Sequence, residues 1–360
     1  MSQSADAELD NLTLGEIQAT LRIRHGLKEN LMLALFNRVT AILINEPNVF
    51  YLDSPITVCG DIHGQILDLF KLFEKSGENF NDNGPPKHKY LFLGDYVDRG
   101  YCSIEVFAFL AFIKIKYPDY IYLLRGNHEY RATNQQYGLF QDCLTLYGHS
   151  GVWYAINSVF DYLPIAAVID NKIFCVHGGL SPKINYIGQI TALDRTKDYN
   201  DNASGGGYYG DDENKLKKRK SDLNFLNKSL ADLTWSDPDE VAKFVPNRRG
   251  SGYLFGPNQT FSFLYMNNLI PRHSKPQKVD WEKSTDGFIA RAHQLAQEGY
   301  NWFHNNRLVI VWSAPNYTYK YENKATFMRV EPNLPPEFIE FQKDESSSKK
   351  PDDTIIDYFA

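Results

Sequence analysis

The chain alternates between two hydrophobic periods. Up to residue 50, apolar side chains recur at helical spacing, as at Leu31, Leu35, Val39 and Ile42, and Pro47 closes the run. Thr13-Leu14-Gly15-Glu16 has the form of a capping box, with Thr13 taking orphan amides and Glu16 reaching back. From Pro55 the pattern becomes apolar run, polar loop and amphipathic helix, repeated. Ile56-Thr57-Val58-Cys59, a run beginning at Tyr90, Tyr120–Leu124, Ile165–Ile169 and Lys172–Val176 predict strands. Leu67 to Phe73, Ser103 to Lys116 and Asn134 to Phe160 predict helices, and Asp170-Asn171 predicts a tight turn. Strands alternating with helices imply a layered, largely parallel α/β sheet. After Trp235 the chain reads as short β segments at 252–256, 287–293 and 307–313.

Polar breaks mark the organisation. Residues 197–229 hold Gly205-Gly206-Gly207 and a basic cluster, Lys215-Leu216-Lys217-Lys218-Arg219-Lys220. Such a composition cannot bury enough to order itself, so a flexible insert is expected there. A solvated loop accounts for the basic cluster; a nuclear address or docking patch is the alternative. The loops 78–88 and 271–286 are also long and polar. Residues 336–360 are expected to be a disordered tail.

Composition narrows the class. The chain has 360 residues, 43% of them hydrophobic, enough for a packed core, and a net charge of −6 gives no general pull on nucleic acid. No apolar run nears the roughly 20 residues of a membrane span, and the first residues carry no signal-peptide pattern. Four cysteines, 59, 102, 143 and 175, form no CxxC pair. Cys59 and Cys175 sit in apolar runs as buried thiols, which suggests a reducing compartment, the cytoplasm and also the nucleus.

Candidate chemistry gathers where strands end. Leu91-Phe92-Leu93 breaks at Gly94 and delivers Asp95, Asp98 and Arg99 within five residues. Other strands end in Asp61 and His63, in Asn127, and in His177, and His293 ends a later apolar run. One such residue alone is more often structural than a ligand; the set is far more specific. Asp61 and His63 share a face if the backbone stays extended. Carboxylate, imidazole and amide ligands suit Mn, Fe or Zn. Six ligands exceed one open catalytic metal but fit two ions sharing Asp95, about 3.5–4 Å apart, with a hydroxide made from bridging water as nucleophile. His128 is placed to protonate the leaving group, with Asp98 holding its imidazole. Arg99 offers a fork for phosphate oxygens, with an ordinary salt bridge as the plainer reading.

Gly60-Asp61-Ile62-His63-Gly64, Gly94-Asp95-Tyr96-Val97-Asp98-Arg99-Gly100 and Arg125-Gly126-Asn127-His128-Glu129 together resemble the signature of the metal-dependent serine/threonine phosphoprotein phosphatase family. His177 to Pro182, Trp235-Ser236-Asp237-Pro238 and Ser313-Ala314-Pro315-Asn316-Tyr317 agree, and Asp357-Tyr358-Phe359 is similar to the type 2A-like branch. The likeness runs from about residue 10 to 330. It implies a metallophosphoesterase-type α/β fold, a central β-sandwich of mixed sheets flanked by helices. It implies a helical N-terminal part over 1–50 and a dinuclear-metal phosphatase domain over 51–335.

The resemblance also implies roles. Asp61, His63, Asp95, Asn127, His177 and His293 would bind two divalent ions, with manganese first among Mn, Fe and Zn. His128 would be the general acid, paired with Asp98. Arg99 and Arg249 would clamp phosphate, although spacing alone leaves Arg249 level with a loop arginine because Arg248 precedes it. Tyr317 would overhang the site, although by spacing alone it reads as a packed aromatic in a turn. Expected partners are phosphoprotein substrates and scaffold or regulatory subunits of the type 2A kind, not nucleic acid or membrane. Three departures stand out. Tyr130 replaces a common serine and is expected to reshape the groove. Thr318 replaces a cysteine, which puts capture by cysteine-reactive cyclic-peptide toxins in question. Ala360 replaces the usual terminal leucine, which does the same for carboxyl methylation. A hydrolase for nucleotides or other small phosphate esters, and a catalytically weak scaffold, are the competing readings.

Overall fold

The computed structural model describes residues 2–24, 26–78, 84–196, 229–280 and 286–349. Three helices open the chain: α1 (Ser2–Asn11), α2 (Leu14–Arg22) and α3 (Glu29–Leu43). The capping box at Thr13 forms as the sequence indicates, with the Glu16 carboxylate accepting the Thr13 N–H at 2.9 Å.

Two sheets make the centre. The first joins β2 (Ile56–Cys59), β3 (Lys89–Phe92), β4 (Ile121–Leu123), β13 (Ala325–Val330) and β14 (Glu337–Phe341) in the order β14-β13-β2-β3-β4. The second joins β1 (Val49–Leu52), β5 (Ala166–Ile169), β6 (Ile173–Val176), β10 (Phe288–Arg291), β11 (Tyr300–Phe303) and β12 (Leu308–Val311) in the order β1-β5-β6-β10-β12-β11. A small sheet places β9 (Tyr253–Phe255) between β7 (Asp237–Pro238) and β8 (Val245–Pro246).

Period-two alternation explains the layering. Ile56, Val58, Leu91 and Leu93 face Ile173, Cys175, Ala290 and Val309 between the two large sheets. Cys59, Tyr90 and Phe92 face outward, under α4 (Ile66–Ser76), α5 (Ser103–Lys116) and the N-terminal helices. Phe174, Val176, Ile289 and Ile310 face the other way, toward the helical segment α10 (229–235) and α11 (Pro257–Met266). The result is the expected sandwich of mixed sheets between helical layers. Pairing is not largely parallel, because β5–β6, β11–β12, β13–β2, β13–β14 and β8–β9 are antiparallel. The Asp170-Asn171 turn between β5 and β6 has φ of 51° and 54°, as a two-residue hairpin turn requires.

Several expectations need correction. The helix read from Asn134 to Phe160 is three helices, α6 (Arg131–Tyr137), α7 (Leu139–Tyr147) and α8 (Gly151–Phe160), divided at Gly138 and Gly148, both at positive φ. The N-terminal part is not helical to residue 50, since β1 begins at Val49. Helix α11 was not expected: after Trp235 the pattern predicts only short β segments. The tail expected to be disordered from 336 instead gives β14 at 337–341, with Phe338 stacked 4.1 Å from Tyr300 and Phe341 buried. Of the expected insert, 197–228 lie outside the described residues, and Ser229 is buried at the start of α10's described part. Residues 350–360, with Ala360, also lie outside them. All four cysteines are free and buried.

Candidate active site

Parallel strands from both sheets end at one edge of the sandwich. From the first sheet, β2 leads to Asp61 and His63, β3 to Asp95, and β4 to Asn127 and His128. From the second, β6 leads to His177, β10 to His293, and β12 to the loop ending at Tyr317. The six proposed ligands thus meet in one place, and all are buried. Two overlapping groups capable of holding a cation share Asp95: His63 with Asp95 and His128, and Asp95 with His177 and His293.

The strand alternation expected for Asp61 and His63 does not occur. The strand stops at Cys59 and His63 takes φ +48°, so a left-handed turn brings its Nε2 to 3.6 Å from Asp61 Oδ2. Asp95, Asp98, Arg99, His293 and Asn316 also have positive φ, at 55°, 69°, 71°, 66° and 45°. Non-glycine residues hold such angles only where surrounding structure fixes them. Two glycines make the loops cross closely. A Cβ on Gly94 would lie 2.4 Å from Gly126 N, and one on Gly126 would lie 2.3 Å from Asp95 Oδ1.

Asp95 is held from two sides. Its Oδ1 accepts the His128 N–H at 2.9 Å. Its Oδ2 lies 3.3 Å from His177 Nε2 and 3.6 Å from His63 Nε2. The buried Glu129 carboxylate accepts the N–H groups of Asp95, Tyr96 and Gly126, each at 2.8 Å. Glu129 therefore ties the Asp95 loop to the Asn127 loop, a role that sequence reasoning missed. Burial and the Asp95 charge push the Glu129 carboxyl upward. Burial opposes the charge on Asp95, but His177, His128 and His63 hold it well below the usual range.

The donor set fits metal ions. His63 Nδ1–H donates to the Val97 carbonyl at 2.9 Å and His177 Nδ1–H to the Leu93 carbonyl at 3.0 Å, so Nε2 of both rings faces inward, where a metal ion would take the place of its proton. His177 Nε2 lies 2.9 Å from Asn127 Oδ1, so the two atoms meet where a cation could be held between them. His293 Nδ1 is 2.7 Å from the same oxygen. Asp61 Oδ2 and His293 Nε2 are buried without a hydrogen-bond partner. Burial works against a charged His63, yet Asp61 and Asp95 raise it to about 9, a measure of the negative field a cation would meet. Burial and the neighbouring His177, Arg291 and Arg249 charges keep His293 neutral, as a ligand must be.

Beside this cluster, His128 Nδ1 lies 2.6 Å from Asp98 Oδ2. Asp98 Oδ1 accepts the Leu139 N–H at the start of α7 at 2.8 Å, and the Asp98 N–H donates to Ser103 Oγ at 3.1 Å. The cleft above has a volume of about 310 Å³. Its walls include Arg99, Arg249, Tyr317, Tyr137 and Trp235. Arg99 lies over the Tyr137 ring at 4.1 Å. Arg249 is set by Asp237, whose Oδ2 is 2.9 Å from its Nε. Asp237 Oδ1 is 3.0 Å from Nη2 of the fully buried Arg291. Tyr317 packs edge-on to Trp312 and 5.1 Å from the His63 ring. Tyr137, Trp235, Asp237 and Arg291 were not singled out in the sequence; the Trp235–Pro238 motif was the available signal. Tyr130 does not shape the groove: it is fully buried, with Arg125 stacked on its ring at 4.0 Å.

Comparison with known proteins gives the family. Residues 54–271 match the family model for calcineurin-like phosphoesterases. The chain is 39% identical to a serine/threonine-protein phosphatase 4 catalytic subunit from Kluyveromyces lactis, over 92% of each chain. It is 40% identical to the serine/threonine-protein phosphatase ppe1 of Schizosaccharomyces pombe, over 96% of this chain and 99% of that one. A solved protein serine/threonine phosphatase from Saccharomyces cerevisiae superposes with a TM-score of 0.70 at 28% identity, covering 89% of this chain and 91% of that one. A cold-active protein-tyrosine phosphatase from a Shewanella species shares the fold, with a TM-score of 0.55 at 20% identity over 83% of this chain and 84% of that one. The chain belongs to the calcineurin-like phosphoesterases and, within them, to the serine/threonine-protein phosphatase family of the type 2A-like kind.

Proposed function

We propose that the chain hydrolyses phosphoserine and phosphothreonine esters in proteins with two divalent cations seated between Asp61, His63, Asp95, Asn127, His177 and His293. The family fixes the coarser statement, a metal-dependent serine/threonine protein phosphatase. The finer one is supported above all by the convergence on Asp95, one oxygen pinned by the His128 N–H and the other facing two imidazoles. Bound there, the ions supply Lewis acidity toward phosphoryl oxygens and an activated water, and hard-to-borderline donors of this kind favour manganese, iron or zinc.

The chain's own groups do the rest. Arg99 and Arg249 flank the cleft and bind the phosphate oxygens that the cations leave free. Tyr137 and Asp237 orient these two guanidinium groups. His128 donates a proton to the departing serine or threonine oxygen from Nε2, since Nδ1 is engaged by Asp98. Asp98 holds the ring in that orientation. Tyr317, Tyr137 and Trp235 form the wall that meets residues beside the phosphate. Partners of the type 2A kind, scaffold and regulatory subunits, would supply sequence selectivity. The four buried free thiols favour a cytoplasmic setting, with the nucleus as a second.

The test is metal analysis of the purified protein beside hydrolysis of a phosphothreonine peptide and a dinucleotide, each with and without chelator. Two ions per chain and chelator-sensitive turnover of the phosphopeptide alone are expected. Faster turnover of the dinucleotide would move the chain to the nucleotide-directed reading.

A further inference from the structure

Beyond β14 the chain passes over α4 to the loop that leads into Tyr317. The Asp344 N–H donates to Asp68 Oδ1 at 2.7 Å, and Ser347, three residues on, is buried. The Arg24 guanidinium donates to the Lys349 carbonyl. Asn316 Nδ2 donates to Ser348 Oγ at 3.3 Å. Asp68 lies on α4 and is only 1% exposed. Its Oδ2 accepts Gln65 Nε2 at 2.7 Å, and the same Nε2 donates to the Pro315 carbonyl at 2.8 Å. Pro315 and Asn316 lead directly into Tyr317.

The loop that receives these bonds is braced from within, by the Tyr319 N–H on the Asn316 carbonyl at 2.7 Å and the Tyr317 N–H on Asn323 Oδ1 at 2.8 Å, and from outside by α4 and residues 344–349. Asn316, Thr318 and Tyr319 have φ of 45°, 51° and 63°. Left-handed angles at three of four consecutive non-glycine residues persist only where the surrounding bonds fix them. The restraint includes Asn323 and Tyr101, whose backbone N–H meets Tyr319 Oη at 3.1 Å, and it includes the Asp68 carboxylate. Asp68 touches neither a proposed metal ligand nor the phosphate clamps, so the reaction itself gives no reason for a buried acid here.

We infer that residues 344–349 are a strap that sets the substrate-facing wall at Tyr317, acting through Asp68, Gln65 and Pro315 on one side and through Ser348 and Asn316 on the other. Asp68 is in this account a positioning residue for Tyr317. The inference rests on Tyr317 meeting substrate, as stated above. Its prediction is specific: loosening the strap weakens capture of a phosphopeptide, which reaches the wall, and spares a small aryl phosphate, which does not.

The experiment compares wild type, Asp68→Asn, Ser347→Asp, Tyr317→Ala and the Asp68→Asn/Tyr317→Ala double variant in the full chain. Ser347→Asp puts a carboxylate at a buried position of the strap and leaves α4 untouched, so it serves if Asp68→Asn folds poorly. KM and kcat are read with a phosphothreonine peptide and with p-nitrophenyl phosphate, alongside metal content. The expected result is a three- to tenfold higher KM for the peptide in either strap variant, with p-nitrophenyl phosphate kcat within twofold and metal unchanged. The double variant should match Tyr317→Ala alone. Equal effects on both substrates, or full additivity with an effective Tyr317→Ala, would overturn the strap. A silent Tyr317→Ala would instead remove the substrate role of Tyr317, and the strap with it.

Discussion

Asp98 Oδ2 and His128 Nδ1 lie 2.6 Å apart, and both side chains are buried. The pair is built from two loops, with α7 donating a backbone N–H to the other Asp98 oxygen. A histidine fixed in this way has one free nitrogen for the leaving group. His128→Asn should therefore lower kcat on a phosphoserine peptide by about 10²–10⁴-fold, the usual range for a lost general acid. The loss should be much smaller with p-nitrophenyl phosphate, whose phenolate departs with little help. Equal losses on the two esters would remove the acid assignment.

Asp95 is the residue both proposed ion positions share. Asp95→Asn should release metal from both, so that elemental analysis finds well under one ion per chain and both substrates lose turnover together. An Asp95→Asn protein with its full metal complement would show that the carboxylate is not a bridge.

The phosphate clamps can be separated from the proton donor by kinetics. Arg249→Ala and Arg99→Ala should each raise KM, and the Ki of inorganic phosphate, by roughly the tenfold that one lost charge-assisted bond brings. Asp237→Asn should weaken phosphate less than Arg249→Ala, because the arginine stays but is no longer aimed. Unchanged phosphate inhibition in Arg249→Ala would place that side chain outside the phosphate subsite.

Gly126 has no room for a methyl group. A Cβ there would lie 2.3 Å from Asp95 Oδ1 and 2.4 Å from Asp95 N. Gly126→Ala should lose metal and activity while keeping far-UV circular dichroism close to that of the wild type. Retained metal binding would mean that the crossing of the two loops is looser than described.

Stability should depend on pH through two buried acids behind the site. Burial pushes Glu105 to about 8 and Asp142 to about 7. Folded protein thus keeps their protons over a range where unfolded chain gives them up. The stability they contribute is complete below about 4, is lost as pH rises, and is gone above about 8. Glu105→Gln should have a melting temperature near that of wild type at pH 5 and a higher one at pH 8. A gap that does not change between those pH values would contradict the shift.

Much of the fold could be read from periodicity where one strand carried its own apolar run. Ile56–Cys59, Lys89–Phe92 and Ile173–Val176 were legible for that reason, and each ends at a residue of the site. β14 was not, because Glu337-Phe338-Ile339-Glu340-Phe341 sits between Pro335-Pro336 and a charged stretch; its support is Tyr300 on another strand, which no local pattern reveals. α11 was missed because its Phe261, Phe263 and Tyr265 look like strand residues; the signs of its start were Pro257 and the Gln259 side chain returning to the Gly256 N–H. In the site, the candidate ligands were legible from the clustering of acids, histidines and glycines after strands, whereas Arg249 and Tyr317 came only from the resemblance. The geometry of the site was not legible. His63 reaches Asp61 through a positive φ, and Asp237 joins Arg291 across 54 positions of sequence.

The donors around Asp95 come from both layers of the sandwich, Asp61, His63 and Asn127 from one and His177 and His293 from the other. Ions held there would act as rivets between two plates that otherwise meet through a shared apolar layer and a few hydrogen bonds, such as those of His177 Nδ1 with Leu93 and of the His293 N–H with Asp61. Emptying the centre should then do more than stop turnover: it should let the plates shear, lower the melting temperature, and make the protein's endurance rise and fall with the supply of metal around it.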